Sequence, residues 1–273
     1  MQPQKQSASA GGQVSLRIPS NTPIFTYLLW ITLLVVALAH FMDVPPAPDP
    51  FLDTLSVLGV PLLEQAQFWR LISALLLIAT PAEASTGAYI LGAVYLGMSL
   101  YTLWIVGMEM EPLWGSQRTI LVYLLGGGLG GAVSVLLMAL GLRDLSLGTT
   151  TATAGLMALI GAQMVYLFKH RKLYRQMAPQ RQAFLLGVAL VNLILAAFAA
   201  HADFIGVVFA MIGGGVLAAY ISPFMLPRPH PDEPNALLAE DVNPLRGRLI
   251  PVTVYTLAVM AVVAAAIQVY RLA

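Results

Sequence analysis

Apolar residues gather along this chain in seven long blocks, residues 23–42, 87–107, 119–140, 149–168, 183–200, 204–224 and 249–270, separated by polar or basic connections. About 20 apolar residues in helical form cross roughly 30 Å of hydrocarbon, so each block predicts a transmembrane helix. The last block is entered through Pro251, which a first helical turn tolerates. Residues 43–86 behave differently. They are apolar in places but interrupted by Asp53, Glu64 and Arg70. That pattern predicts an interfacial segment with short amphipathic helices, with Phe68 and Trp69 at the headgroup level.

One block differs in grain from the others. Residues 147–165, LGTTTATAGLMALIGAQMV, are built in their first half from Thr, Ala and Gly. Small residues let membrane helices approach backbone to backbone, where lipid supplies no hydrophobic drive for association. This block is therefore expected at the centre of a bundle. Gly126-Gly127-Gly128 and Gly213-Gly214-Gly215 lie inside apolar blocks with no Lys or Ser/Thr placed to hold phosphate. They predict close helix packing rather than nucleotide loops.

The distribution of basic residues orients the bundle. The connection after the central block holds Lys169, Arg171, Lys172, Arg175 and Arg181, which predicts a cytoplasmic position. The same alternation places the tail with Lys5 and Arg17 and the loop with Arg228, Arg246 and Arg248 inside. Residues 43–86 and the C-terminus then fall outside. The expected units are a flexible polar tail over 1–22, a six-helix core over 23–224 that includes the 43–86 loop, a linker over 225–248 and a seventh helix over 249–273. The tail lacks the basic-then-apolar order of a cleavable signal.

Composition agrees. Of the 273 residues 58% are hydrophobic and 10% charged, against roughly 25% charged in soluble domains; mean hydropathy is +0.79. The chain reads as all-α and polytopic, located in a membrane that is expected to be a bacterial inner membrane. A net charge of +1 gives no nucleic-acid surface. The absence of cysteine removes disulfides and thiolate chemistry. No clustered His or carboxylates suggest a metal, and no cofactor is expected. Glu109 and Glu111 read as part of a cytoplasmic turn beside Pro112. The histidines are His40, His170, His201 and His230: His40 at a helix end, His170 and His230 in the basic loops, and His201 at the outer interface.

Four landmarks carry a resemblance. Trp69-Arg70-Leu71-Ile72-Ser73 stands in the first loop. Gly107, Glu111, Gly115 and Arg118 form a GxxxExxxGxxR pattern. TATAGLMALIGA begins the central helix, and Asp203 precedes GVVFAMIGGG. In this order, this set resembles the rhomboid family of intramembrane serine proteases and their inactive relatives, with a six-helix bundle plus a seventh C-terminal helix. The resemblance implies a Ser nucleophile on the fourth core helix, a His base on the sixth, and a His and an Asn on the second to stabilise the oxyanion. Here those positions fall on Thr153, Val207, Tyr95 and Ser99. The histidine that ends the first-loop motif falls on Ile78, the small residue after the nucleophile on Ala154, and the aromatic partner of the base on Met157. A hydroxyl needs an adjacent base to become a nucleophile, and Val207 is none. The resemblance therefore implies a pseudoprotease that binds transmembrane helices of other proteins, as an escort or as a subunit of a larger membrane complex, with membrane lipids around it. An active protease using Thr153 is the alternative, and a transporter or channel a weaker one. Glu111 and Arg118 are expected to satisfy one another or nearby turn amides. Trp69 and Arg70 are expected to anchor the loop at the interface, and Asp203 to cap the last core helix or favour its dipole.

Overall fold

The computed structural model describes residues 15–17, 22–42, 56–57, 59–65, 67–78, 86–144, 152–174, 177–198, 203–229 and 236–272. In chain order the helices are α1 (Ile24–Met42), α2 (Gly59–Leu63), α3 (Arg70–Ser73), α4 (Thr86–Trp114), α5 (Ser116–Ala139), α6 (Ala152–Lys169), α7 (Arg171–Tyr174), α8 (Met177–Phe198), α9 (Phe204–Ile221) and α10 (Leu249–Leu272). Six of them are long and apolar enough to cross a membrane, and α1 adds a shorter apolar helix. The bundle expected from the apolar blocks is present. The helices nevertheless outrun those blocks: α4 continues past Gly107 to Trp114, and α8 begins six residues before Ala183. Adding a residue to an existing helix gains a backbone hydrogen bond at little cost. The charged ends also find partners, since Glu109 of α4 pairs with Arg181 of α8 at 2.6 Å.

Helix α6 is the axis of the bundle. Of its apolar stretch 78% is buried, against 28% for α8 and 17% for α10. Its small residues explain this position. A Cβ placed on Gly161 would collide with the carbonyl oxygen of Met211 in α9, and one on Gly214 of α9 would collide with that of Ala158. The two backbones touch, and no side chain fits between them. Gly130 of α5 makes the same kind of contact with the Gly206 carbonyl. A π-helical turn at Val122–Gly126 lies within α5, directly before the glycines.

The first loop is folded into the bundle rather than laid on its surface. Val57, Leu62, Leu63, Leu71 and Ala74 form an apolar cluster with Ala132, Val135 and Ala139 of α5 and Val259, Val263 and Ala266 of α10. The seventh helix thus docks on α5 and on the loop together, and Tyr270 reaches back to Glu64 with its hydroxyl at 2.6 Å. Trp69 remains 48% exposed, as an interfacial anchor would be, but Arg70 is buried. Its guanidinium donates to Gln67 Oε1 at 2.6 Å and to the Ser56 carbonyl at 3.1 Å, so it organises the loop from inside.

At the opposite, basic end lies a small sheet that the hydropathy pattern does not predict. Strands β1 (Ser15–Arg17), β2 (Met225–Pro229) and β3 (Ala236–Asp241) pair in the order β1-β3-β2, parallel for β1–β3 and antiparallel for β2–β3. Part of the polar tail and much of the linker are therefore ordered against each other. The linker is also fastened to the core. Asn243 donates its amide to the carbonyls of Ser222 (2.7 Å) and Tyr220 (3.2 Å), satisfying groups that the end of α9 leaves open.

If the α6–α9 contact holds the bundle, Gly161→Ala will lower the thermal unfolding midpoint in detergent by an overpacking cost of about 1–3 kcal/mol. Gly97→Ala, where an added Cβ meets nothing within 4 Å, will leave the midpoint unchanged or higher. Equal behaviour of the two variants would contradict this packing.

Candidate functional site

The residues that the resemblance assigns to the protease positions are buried around the first turns of α6. Thr153 is 2% exposed and lies beside the phenol of Tyr95 on α4. One helical turn further along α4, Ser99 is fully buried with no partner for its Oγ. Val207 of α9, Met157 of α6 and Ile78 at the end of the first loop are buried as well. The loop seals this end of the helix: the amide of Ala152 donates to the Leu77 carbonyl at 3.1 Å, and the Tyr123 hydroxyl to the Leu75 carbonyl at 2.6 Å. The Tyr123 ring lies against Gly155, where any side chain would displace it.

Among the described residues, this cluster brings together hydroxyls and apolar side chains. A phenol with an ordinary pKa near 10 is protonated at neutral pH and takes no proton from Thr153. Val207 has no lone pair to offer. What the cluster supplies is hydrogen bonding inside an apolar bundle, where unmet polar groups are costly.

Asn192 and Thr102 add to it in a way the apolar blocks conceal. Asn192 of α8 donates to Thr102 Oγ1 on α4 at 2.9 Å, both side chains are fully buried, and Asn192 Oδ1 remains unpartnered. A lone Asn in an apolar span was the available signal. Thr149, Thr150 and Thr151, expected to extend the polar face of α6, lie outside the described residues, as do His201 and His230.

The GxxxExxxGxxR residues do separate work. Of the two arrangements the sequence left open, mutual pairing or bonds to turn amides, Glu111 and Arg118 do not adopt the first, and Glu109 and Glu111 lie on the last turns of α4 rather than in a loop. The Glu111 carboxylate accepts from the amides of Phe25 (2.9 Å) and Thr26 (2.7 Å), from Thr26 Oγ1 (2.8 Å) and from the Ser116 hydroxyl. It thus caps the start of α1, at the positive end of that helix. Gly107 lies against the Thr26 side chain, where a Cβ would clash. Gly115, at φ +79°, turns the chain between α4 and α5. Arg118 faces the linker, with Nη1 2.8 Å from Asp241 Oδ2 and Nη2 donating to the Asn243 carbonyl. Asp203 pairs with Arg143 at 2.8 Å in place of a side-chain cap on α9.

His170 also departs from its expected loop setting. It is 4% exposed and packed on the Tyr166 ring at 4.3 Å between centroids. Its Nδ1 lies 2.9 Å from the Tyr166 carbonyl, and its Nε2 accepts the Met225 amide at 3.1 Å. Both nitrogens of a neutral imidazole are thereby used, and the ring brackets the start of β2. Burial, more than the neighbouring Lys169 charge, holds its pKa below the ordinary value.

Two measurements check these assignments. Glu111→Gln turns an amide donor toward donors, so it should destabilise the detergent-solubilised protein by about 2–3 kcal/mol, read as a drop in thermal midpoint. For His170 the folded-state pKa is the lower one. Its contribution is complete above the ordinary imidazole value of about 6.5 and lost as pH falls through the depressed value. Wild-type stability should therefore fall on the acid side, and His170→Gln, which keeps a donor and an acceptor, should lack that component of the fall.

Comparison with known proteins places this arrangement. No curated protein and no solved structure matches the chain. A family model, the Rhomboid domain, matches residues 65–224, which span the Trp69-Arg70 loop, the Glu111–Arg118 junction, the Thr153 helix and Asp203. The chain is a multi-pass integral membrane protein that belongs to the rhomboid family.

Proposed function

We propose that this protein is a non-proteolytic rhomboid that binds transmembrane segments of other membrane proteins, with its basic end facing the cytoplasm. One observation carries the reading. The position that the resemblance assigns to the catalytic base falls on the buried Val207, and the one assigned to the nucleophile falls on Thr153, which is buried beside Tyr95. Thr153 is also β-branched and stiff about χ1, which disfavours the swing that attack would require. The buried acceptors left open, Ser99 Oγ on α4 and Asn192 Oδ1 on α8, suit a client helix that carries an unmet polar donor. Such a donor is costly in hydrocarbon and is relieved by an interhelical hydrogen bond. Helix α8 is the least buried of the long core helices, which favours access from its side. One dedicated partner in a larger membrane complex, or several clients held in turn, both fit this chemistry.

The tagged full-length protein, purified in mild detergent, tests the reading through two measurements. A fluorophosphonate probe should label wild type and Thr153→Ala equally or not at all. Co-purifying membrane proteins should be retained by wild type and depleted for Asn192→Leu. Labelling abolished by Thr153→Ala would establish a protease with an unconventional nucleophile and overturn the proposal.

A further inference from the structure

A cavity of about 650 Å³ opens at the basic end of the bundle, where the start of α1, the α4–α5 junction and the turn before α10 converge. Small-molecule sites occupy roughly 300–1,000 Å³. The lining contains two guanidinium groups, Arg118 and Arg246, and no carboxylate; Trp114 and Gln117 add further donors, and Ile24 and Leu245 apolar surface. Two of these residues hold buried donors without partners. Trp114 is 3% exposed with its indole N–H unmet, and Arg118 is 7% exposed with its Nε–H unmet. Asp241 and the Asn243 carbonyl engage Arg118 through Nη1 and Nη2, and Glu111 is occupied by Phe25, Thr26 and Ser116. Arg246 is exposed and forms no ion pair among the described residues.

Two guanidinium groups around one space, with no carboxylate in its lining, call for an anion with several oxygens. Guanidinium groups bind phosphate through charge-assisted hydrogen bonds. The cavity lies where apolar helices end, and basic pockets at that level between membrane helices receive acidic lipid headgroups. We propose that this cavity binds the phosphate of an anionic phospholipid, seated between Arg118, Arg246 and Trp114 with its glycerol and upper chains against Ile24 and Leu245. Ile24, Leu245 and Arg246 lie outside the residues that match the Rhomboid domain. The site therefore exists only where the segments flanking that domain close over its Glu111–Arg118 junction, and the lipid joins the added seventh helix to the core.

The test uses the full-length protein, delipidated in detergent and then offered phosphatidylglycerol or phosphatidylcholine, which carries the same phosphate with its charge balanced. Native mass spectrometry should show phosphatidylglycerol retained in preference. Arg246→Gln should weaken that retention roughly tenfold, as expected for loss of one charge-assisted hydrogen bond. Lys172→Gln, which removes an exposed cation from the same end of the bundle, should leave it unchanged. Equal retention of the two lipids, or equal effects of the two variants, would overturn the proposal. A rise in thermal midpoint with inorganic phosphate as large as that with phosphatidylglycerol would replace the lipid by a soluble anion and overturn it too.

Discussion

The backbone contact between α6 and α9 is the constraint on which the rest of the bundle depends. Lipid tails are as apolar as leucine, so helices in a membrane gain little by hiding apolar side chains from it and must associate through close packing. Gly161 against Met211 and Gly214 against Ala158 permit that closeness. Once these helices touch, Gly130 of α5 meets Gly206 and α5 takes its place beside them. The apolar face of α5 that remains, around Ala132, Val135 and Ala139, is then covered by the first loop and the seventh helix. The peripheral elements are arranged on a surface that the glycines define.

Charged groups are kept to the two ends, and there they tie elements together. Glu111 holds the start of α1, Arg118 holds the linker through Asp241 and Asn243, Arg143 and Asp203 join the connection after α5 to α9, and Arg70 shapes the first loop. Each buried charge has a partner of opposite sign or a set of hydrogen bonds, which burial demands. Polar groups in the middle of the bundle are uncharged, and several of them, Ser99 and Asn192 foremost, keep an open valence. The ends tie the elements together, and the middle keeps buried polar groups without partners.

That division separates scaffold from chemistry. The residues that shape the rhomboid framework, Gly107, Glu111, Gly115, Arg118 and the glycines of α6 and α9, act through packing and end-to-end hydrogen bonds that make no use of a nucleophile. Thr153, Tyr95, Ser99 and Val207, buried in the interior, take no part in those contacts. A fold does not dictate a reaction, and the site has to be judged by its own groups.

The long apolar helices and the family landmarks were legible in the sequence, because hydropathy and small-residue spacing are local properties of a chain. The resemblance assigned Thr153 and Val207 to the nucleophile and base positions by their distances from those landmarks. Partner choice was not legible. Glu111 bonds residues 85 and 86 positions away, Arg118 reaches Asn243 across 125, and His170 meets Met225 across 55. The sheet that joins the tail to the linker, and the cavity between Trp114 and Arg246, likewise arise from segments that only folding brings together. The sequence by itself determined which segments are apolar enough to enter the membrane and which landmarks of the family the chain carries. Only the tertiary structure decided what each buried charge holds and where donors remain unmet, because a hydrogen bond is specified by position in space rather than by separation along the chain.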